Sequence, residues 1–212
     1  MLIIIKDLCP IKTTGNFPRR GTKLTKRAGV TIHDTDNLNK GADADNNVRN
    51  LKRADYNSTT GFHWAVDDRQ AVQAIPSDEI AYHCGNQTGN YTTVGIEICV
   101  NKDGNLRDAC YNAAYIAARE LKSMGYSKAV WKQNIWQHND WNRKNCPKQL
   151  RAGNPYNWAT FVELVNWHLG EMTKDNTRKF KAYTLHKMDQ KTAENMQAIL
   201  LAKGIDTVIE EM

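Results

Sequence analysis

Residues Thr93–Val100 read TVGIEICV and residues Gly29–Thr35 read GVTIHDT, and their alternation decides the fold class. In the first, Val94, Ile96, Ile98 and Val100 share one face, while Gly95, Glu97 and Cys99 take the other. In the second, Val30 and Ile32 share a face opposite Thr31, His33 and Thr35. This period of two predicts two strands that each turn a titratable residue, Glu97 or His33, away from the aliphatic side. FHWAVDD (Phe62–Asp68) and AVQAIP (Ala71–Pro76) read as a strand pair around an Asp-containing turn. NIWQH (Asn134–His138) is a fifth expected strand, with Trp136 and His138 on one face.

Helical patterns lie between these strands. Gly41–Ala54 opens with turn and cap residues and is weakly amphipathic. Asp108–Met124 carries a stripe of Ala113, Ile116, Ala117, Leu121 and Met124, with Asp108 expected to cap its start and Gly125 to end it. Tyr156–Leu169 offers Trp158, Phe161, Val162 and Val165 for packing. Strands and helices in this order predict an α/β domain with a central mixed sheet flanked by helices. Residues 170–179, GEMTKDNTRK, are polar and read as a linker. Residues 180–212 read as a small C-terminal β-α-β segment, too short to fold alone by the usual limit of about 40 residues. That segment is expected to dock, to pair with another copy as a dimer, or to begin a longer module.

With 212 residues, 41% of them hydrophobic, the chain can bury one sizeable core and is not of a disordered type. Its net charge of +6 favours weak attraction to a polyanion such as an anionic cell wall. No Lys/Arg block is interleaved with aromatics, so nucleic acid is not the expected partner. The apolar run in MLIIIKDLCP stops at Lys6, short of the roughly 7 to 15 residues of a signal peptide, and nothing approaches a membrane span. The expectation is a protein made in the cytoplasm, without a secretion signal and without membrane insertion. Cys9, Cys84, Cys99, Cys110 and Cys146 are an odd, unevenly spaced set rather than a disulfide framework, and the first four are expected to be buried apolar fillers.

Cys146 ends the stretch HNDWNRKNCP (His138–Pro147), eight residues after His138. Imidazole and thiolate are ligands that zinc favours, and a site with three protein ligands keeps a position for water. The loop must fold back to bring the two together, and His33, ending a strand on its polar face, is the best third donor. Spacing alone leaves the bland reading open: a satisfied core histidine and an inert cysteine.

TIHDTDN, FHWAVDD, AYHCGN, TVGIEICVNKDG and HNDWNRKNCP, taken in order, resemble the zinc-dependent N-acetylmuramoyl-L-alanine amidases of phage endolysins, relatives of the phage lysozyme-type amidases and of peptidoglycan-recognition proteins. The resemblance covers roughly Met1–Leu169, which it marks as a catalytic domain, and its most specific piece is the ending His-x7-Cys-Pro with Lys two residues before the Cys. It implies zinc held by His33, His138 and Cys146, Glu97 as general base, Lys144 as stabiliser of the tetrahedral oxyanion, and His83 lining the substrate groove. Some relatives carry a tyrosine just before the histidine of FHWAVDD; Phe62 stands there and has no acid–base capacity, which favours Glu97 as sole base. His63 is expected to pack near the site without ligating, His168 and His186 to be partly exposed, and Asp34 or Asp140 to accept from a zinc-bound imidazole.

The implied activity is hydrolysis of the amide between N-acetylmuramic acid and L-alanine in peptidoglycan. An endolysin would wait in the cytoplasm until a membrane pore released it. The alternatives are a non-catalytic peptidoglycan-binding module, whose type lacks the zinc cysteine, and a cytoplasmic amidase that recycles muropeptides.

Overall fold

The computed structural model describes residues 2–173 apart from 54 and 56. The chain divides into two units, Met1–Glu171 and Met172–Met212, and everything described below belongs to the first apart from the last turn of one helix. The expected segment 180–212, His186 and most of the expected linker lie outside the described residues.

Six strands form one mixed sheet: β1 (Ile3–Lys6), β2 (Gly29–Asp34), β3 (Trp64–Val66), β4 (Gln70–Gln73), β5 (Thr93–Ile98) and β6 (Ile135–Gln137), in the order β1-β4-β3-β5-β2-β6. All pairings are parallel except the β3–β4 hairpin. The five expected strands are present. β1 is an addition: its run of three isoleucines has no alternation, and as an edge strand it leaves Ile3 and Ile4 exposed.

Helices cover both faces. Trp64 and Ala65 point to opposite sides of β3: the Trp64 indole donates to Glu120 at 2.9 Å, while Ala65 joins the cluster of Val48, Leu51 and Val72. Glu120 belongs to α3 (Leu106–Ser123), and Val48 and Leu51 to α1 (Ala44–Leu51). With both faces covered, every residue of β2 is buried, polar ones included. The cap of α3 is Asn105 rather than Asp108, because the Asn105 side chain accepts from the N–H groups of Arg107 and Asp108. Asp108 instead lies in the first turn, where its charge meets the positive helix end. Short helices α2 (Gln87–Thr92), α4 (His138–Asn142) and α5 (Lys148–Arg151) have too few residues to show a period. α6 (Trp158–Thr173) runs four residues past Leu169 into the expected linker. Among the described residues no helix is long and apolar enough to cross a membrane.

Register is what prepares a site. Ile32 on β2 pairs with Ile96 on β5 and with Gln137 on β6, so the next residue of each chain segment, His33, Glu97 and His138, emerges in a row at the carboxyl ends of three parallel strands. Open α/β sheets present ligand crevices at this end.

Candidate metal centre and catalytic cleft

His33 and His138 face each other through their Nδ1 atoms at 3.0 Å, and the Cys146 sulfur lies 3.8 Å from His33 Nδ1. The three donor atoms fall within 4.8 Å of one another, and all three residues are buried. Each arrives by a different route. His33 is held inside β2, and His138 is the first residue of α4 rather than the last of β6. Cys146 returns because Arg143 ends α4 in a left-handed conformation and Asn139 ties the loop back, its backbone N–H to the Cys146 carbonyl at 2.9 Å and its amide to the Lys144 carbonyl at 2.8 Å.

The donor set can hold a metal ion. Burial drives His33 well below the usual imidazole range and, with Lys144 nearby, His138 down to about 4, so both rings are neutral with lone pairs to give. Burial, and next the charge of Glu97, pushes the Cys146 thiol up to about 12, so a bound cation must displace its proton.

Glu97 Oε1 lies 4.0 Å from His33 Nδ1, and Oε2 is buried with no hydrogen-bond partner in the described structure. Burial first and Asp34 second push this carboxyl up to about 8, against the lowering effect of Lys144. Lys144 is exposed and lines the same cleft of about 390 Å³, whose further wall includes Thr60 and Tyr82. A larger groove of about 710 Å³ beside Trp131 and Trp158 holds none of these groups. The structure thus gathers His33, His138, Cys146, Glu97 and Lys144 around one cleft.

The other expected residues fare differently. His83 sits at the cleft floor only 7% exposed, with its Nδ1 3.0 Å from His33 Nε2 and its Nε2 3.2 Å from the Thr93 carbonyl. Neither Asp34 nor Asp140 bonds an imidazole: Asp34 accepts from the Gln149 backbone at 2.9 Å, and Asp140 from Trp131 and Gln137 at 2.8 and 2.9 Å. His63 packs beneath the site, its ring centroid 5.8 Å from that of His83. His168, expected partly exposed, is buried because Tyr111, Tyr115 and Trp167 surround its ring. Tyr82 and Asn142 are additions to the site; Asn142 approaches His138 Nε2 at 3.0 Å, a contact four residues apart on one short helix that the spacing could have suggested.

A mostly parallel α/β domain that brings two imidazoles, a thiol and a half-buried carboxyl to the carboxyl ends of its strands defines a class of scaffold whose three-donor cluster could hold a metal ion. The family described as N-acetylmuramoyl-L-alanine amidase (Amidase_2) matches residues 24–149, and the chain belongs to it. The chain is 36% identical over 152 residues to N-acetylmuramoyl-L-alanine amidase XlyA of Bacillus subtilis (strain 168), a match covering 71% of this chain and 48% of that protein. It is 34% identical over 169 residues to N-acetylmuramoyl-L-alanine amidase CwlH of the same organism, covering 78% of this chain and 62% of that one. The solved catalytic domain of XlyA superposes with a TM-score of 0.65 at 33% identity, covering 76% of this chain and 98% of the domain. The chain therefore spans about half to two thirds of the length of these curated relatives.

Proposed function

We propose that this chain carries the catalytic domain of a zinc-dependent peptidoglycan hydrolase of the endolysin type, cleaving the amide between N-acetylmuramic acid and L-alanine. The observation that carries this reading is the convergence of His33, His138 and Cys146 beside Glu97 in a member of the amidase family. Two neutral imidazoles and one thiolate are a donor set that suits zinc and leaves it net positive. Zinc held there supplies Lewis acidity, making water more acidic and polarising an amide carbonyl.

The protein's own groups then divide the work. Glu97, which a cation at the donor set would hold ionised, takes a proton from the attacking water through the carboxylate whose Oε1 lies 4.0 Å from His33 Nδ1 and returns it to the departing amine nitrogen, so that amide and water become carboxylic acid and amine. Lys144, on the cleft rim, donates to the carbonyl oxygen as negative charge develops. The net charge of +6 draws the protein to an anionic wall. For residues 180–212 the reading is wall attachment or self-association, tested by whether their deletion lowers wall binding or changes the mass seen by light scattering.

Zinc-loaded protein incubated with isolated walls should release new L-alanine amino termini, a chelator should stop this, and added zinc should restore it. Walls that lose turbidity without new L-alanine amino termini would show a different bond being cut and overturn the assignment.

A further inference from the structure

Hydrogen-bond directions beneath the site can be followed from one fixed point. The Thr93 carbonyl, where α2 passes into β5, lies 3.2 Å from His83 Nε2. A carbonyl only accepts, so His83 carries its proton on Nε2 and keeps a lone pair on Nδ1. That lone pair faces His33 Nε2 at 3.0 Å, which makes His33 the donor. The other ring nitrogen of His33 is then unprotonated, and it is the atom that faces His138 and Cys146. His138 is held from two sides, its Nε2 3.0 Å from the Asn142 side-chain amide and its ring donating to the Cys84 backbone carbonyl.

The packing around His83 is as specific as its bonds. A Cβ on Gly95 would lie 2.7 Å from the His83 ring, so a bare backbone at this point of β5 is what admits the imidazole. The His83 backbone N–H is held by the Asn90 side chain at 2.9 Å. One layer down, His63 Nδ1 accepts from the Gly95 N–H at 2.8 Å and its Nε2 donates to the Glu79 carbonyl at 2.8 Å, so the floor under His83 has its own fixed tautomer.

We propose that His83 is a positioning residue: held by the Thr93 carbonyl, it keeps His33 in the Nε2–H tautomer and so aims the Nδ1 lone pair at the cation. This moves His83 from contact with substrate to support of a ligand, and it rests on the zinc reading above. Partners of this kind orient metal-bound histidines, and their loss typically lowers metal affinity about 10- to 100-fold.

The test uses the full chain with 15N-labelled histidine. Long-range proton–nitrogen spectra of the metal-free protein should show both His83 and His33 protonated on Nε2. Zinc affinity by chelator competition should fall about 10- to 100-fold in His83→Phe. It should largely survive in His83→Asn, whose amide oxygen stands near the lost Nδ1. Should His83→Phe fail to fold, Gly95→Ala, which crowds the ring without removing its acceptor, should show a smaller loss and a disturbed His33 signal. His33 found protonated on Nδ1 in metal-free protein, or zinc bound as tightly by the folded His83→Phe as by wild type, overturns the proposal alone. Wild type with no measurable zinc affinity overturns the zinc reading, and this proposal with it.

Discussion

Two histidines outside the three-donor cluster should make the domain acid-labile, and one can be replaced by a ring of similar size. Burial lowers both His63 and His168 to about 4. A base whose folded pKa lies below its unfolded value of about 6.5 binds more protons when unfolded, so its stabilisation is complete above pH 6.5 and is lost as pH falls towards 4. From pH 7 to pH 5 the loss is about 2 kcal/mol for each histidine, or about 4 kcal/mol together, a large part of the roughly 5–15 kcal/mol of a typical domain. The environments of the two rings differ. His63 uses both nitrogens, so His63→Phe would strand the Gly95 N–H and the Glu79 carbonyl and destabilise at every pH. His168 Nε2 is buried with no hydrogen-bond partner in the described structure, within an aromatic cage of Tyr111, Tyr115 and Trp167. His168→Phe fills similar space and removes both the unmet polar atom and the titration, at the loss of the ring's hydrogen bond to the Tyr111 backbone. Urea unfolding with chelator present should therefore show the variant about as stable as wild type at pH 7 and about 2 kcal/mol more stable at pH 5. Comparing the two proteins cancels the metal-site histidines, which titrate in both. Stability curves that run parallel from pH 7 to pH 5 would refute the reasoning.

Three further outcomes concern the site and its frame. Glu97→Gln should lower kcat/KM on walls about 10²- to 10⁴-fold, or about 3–5 kcal/mol of barrier, with zinc content unchanged because Glu97 is not among the three donors; activity within tenfold of wild type would remove it as the base. Zinc at about 100 times its Kd should stabilise wild type by about 2.7 kcal/mol in a thermal-shift series, and Cys146→Ser should show almost none of this; an equal shift would mean that the sulfur is not a ligand. Gly29→Ala should destabilise by more than about 4 kcal/mol in urea unfolding, since its Cβ would fall 2.0 Å from the Asn134 carbonyl oxygen at the β2–β6 seam; a change below 1 kcal/mol would show that the seam yields.

Alternation in GVTIHDT and TVGIEICV was enough to locate β2 and β5 and to say which face carries His33 and Glu97, because a period of two is a local property of the chain. It could not say that the two residues are neighbours. Parallel strands are joined by crossovers, and the pairing His33↔Glu97 links positions that only tertiary packing brings together. The same limit explains His83. AYHCGN places it in a loop, and a loop histidine near a site is naturally read as facing substrate; what turns it inward is a missing Cβ twelve residues later, on Gly95. The cap of α3 and the short helices escaped for a local reason, since several polar residues compete for one cap and four to six residues hold fewer than two helical periods.

The centre is therefore a consequence of register more than of any one motif. Slipping β6 by one residue against β2 would take Gln137 or Asn139 to the place of His138 and send each side chain to the opposite face. The aliphatic side resists that slip, because Ile135 on β6, fully buried beside Val30 on β2, would be driven out of the core by it. In this domain the hydrophobic alternation on one face is the force that holds the donors in line on the other.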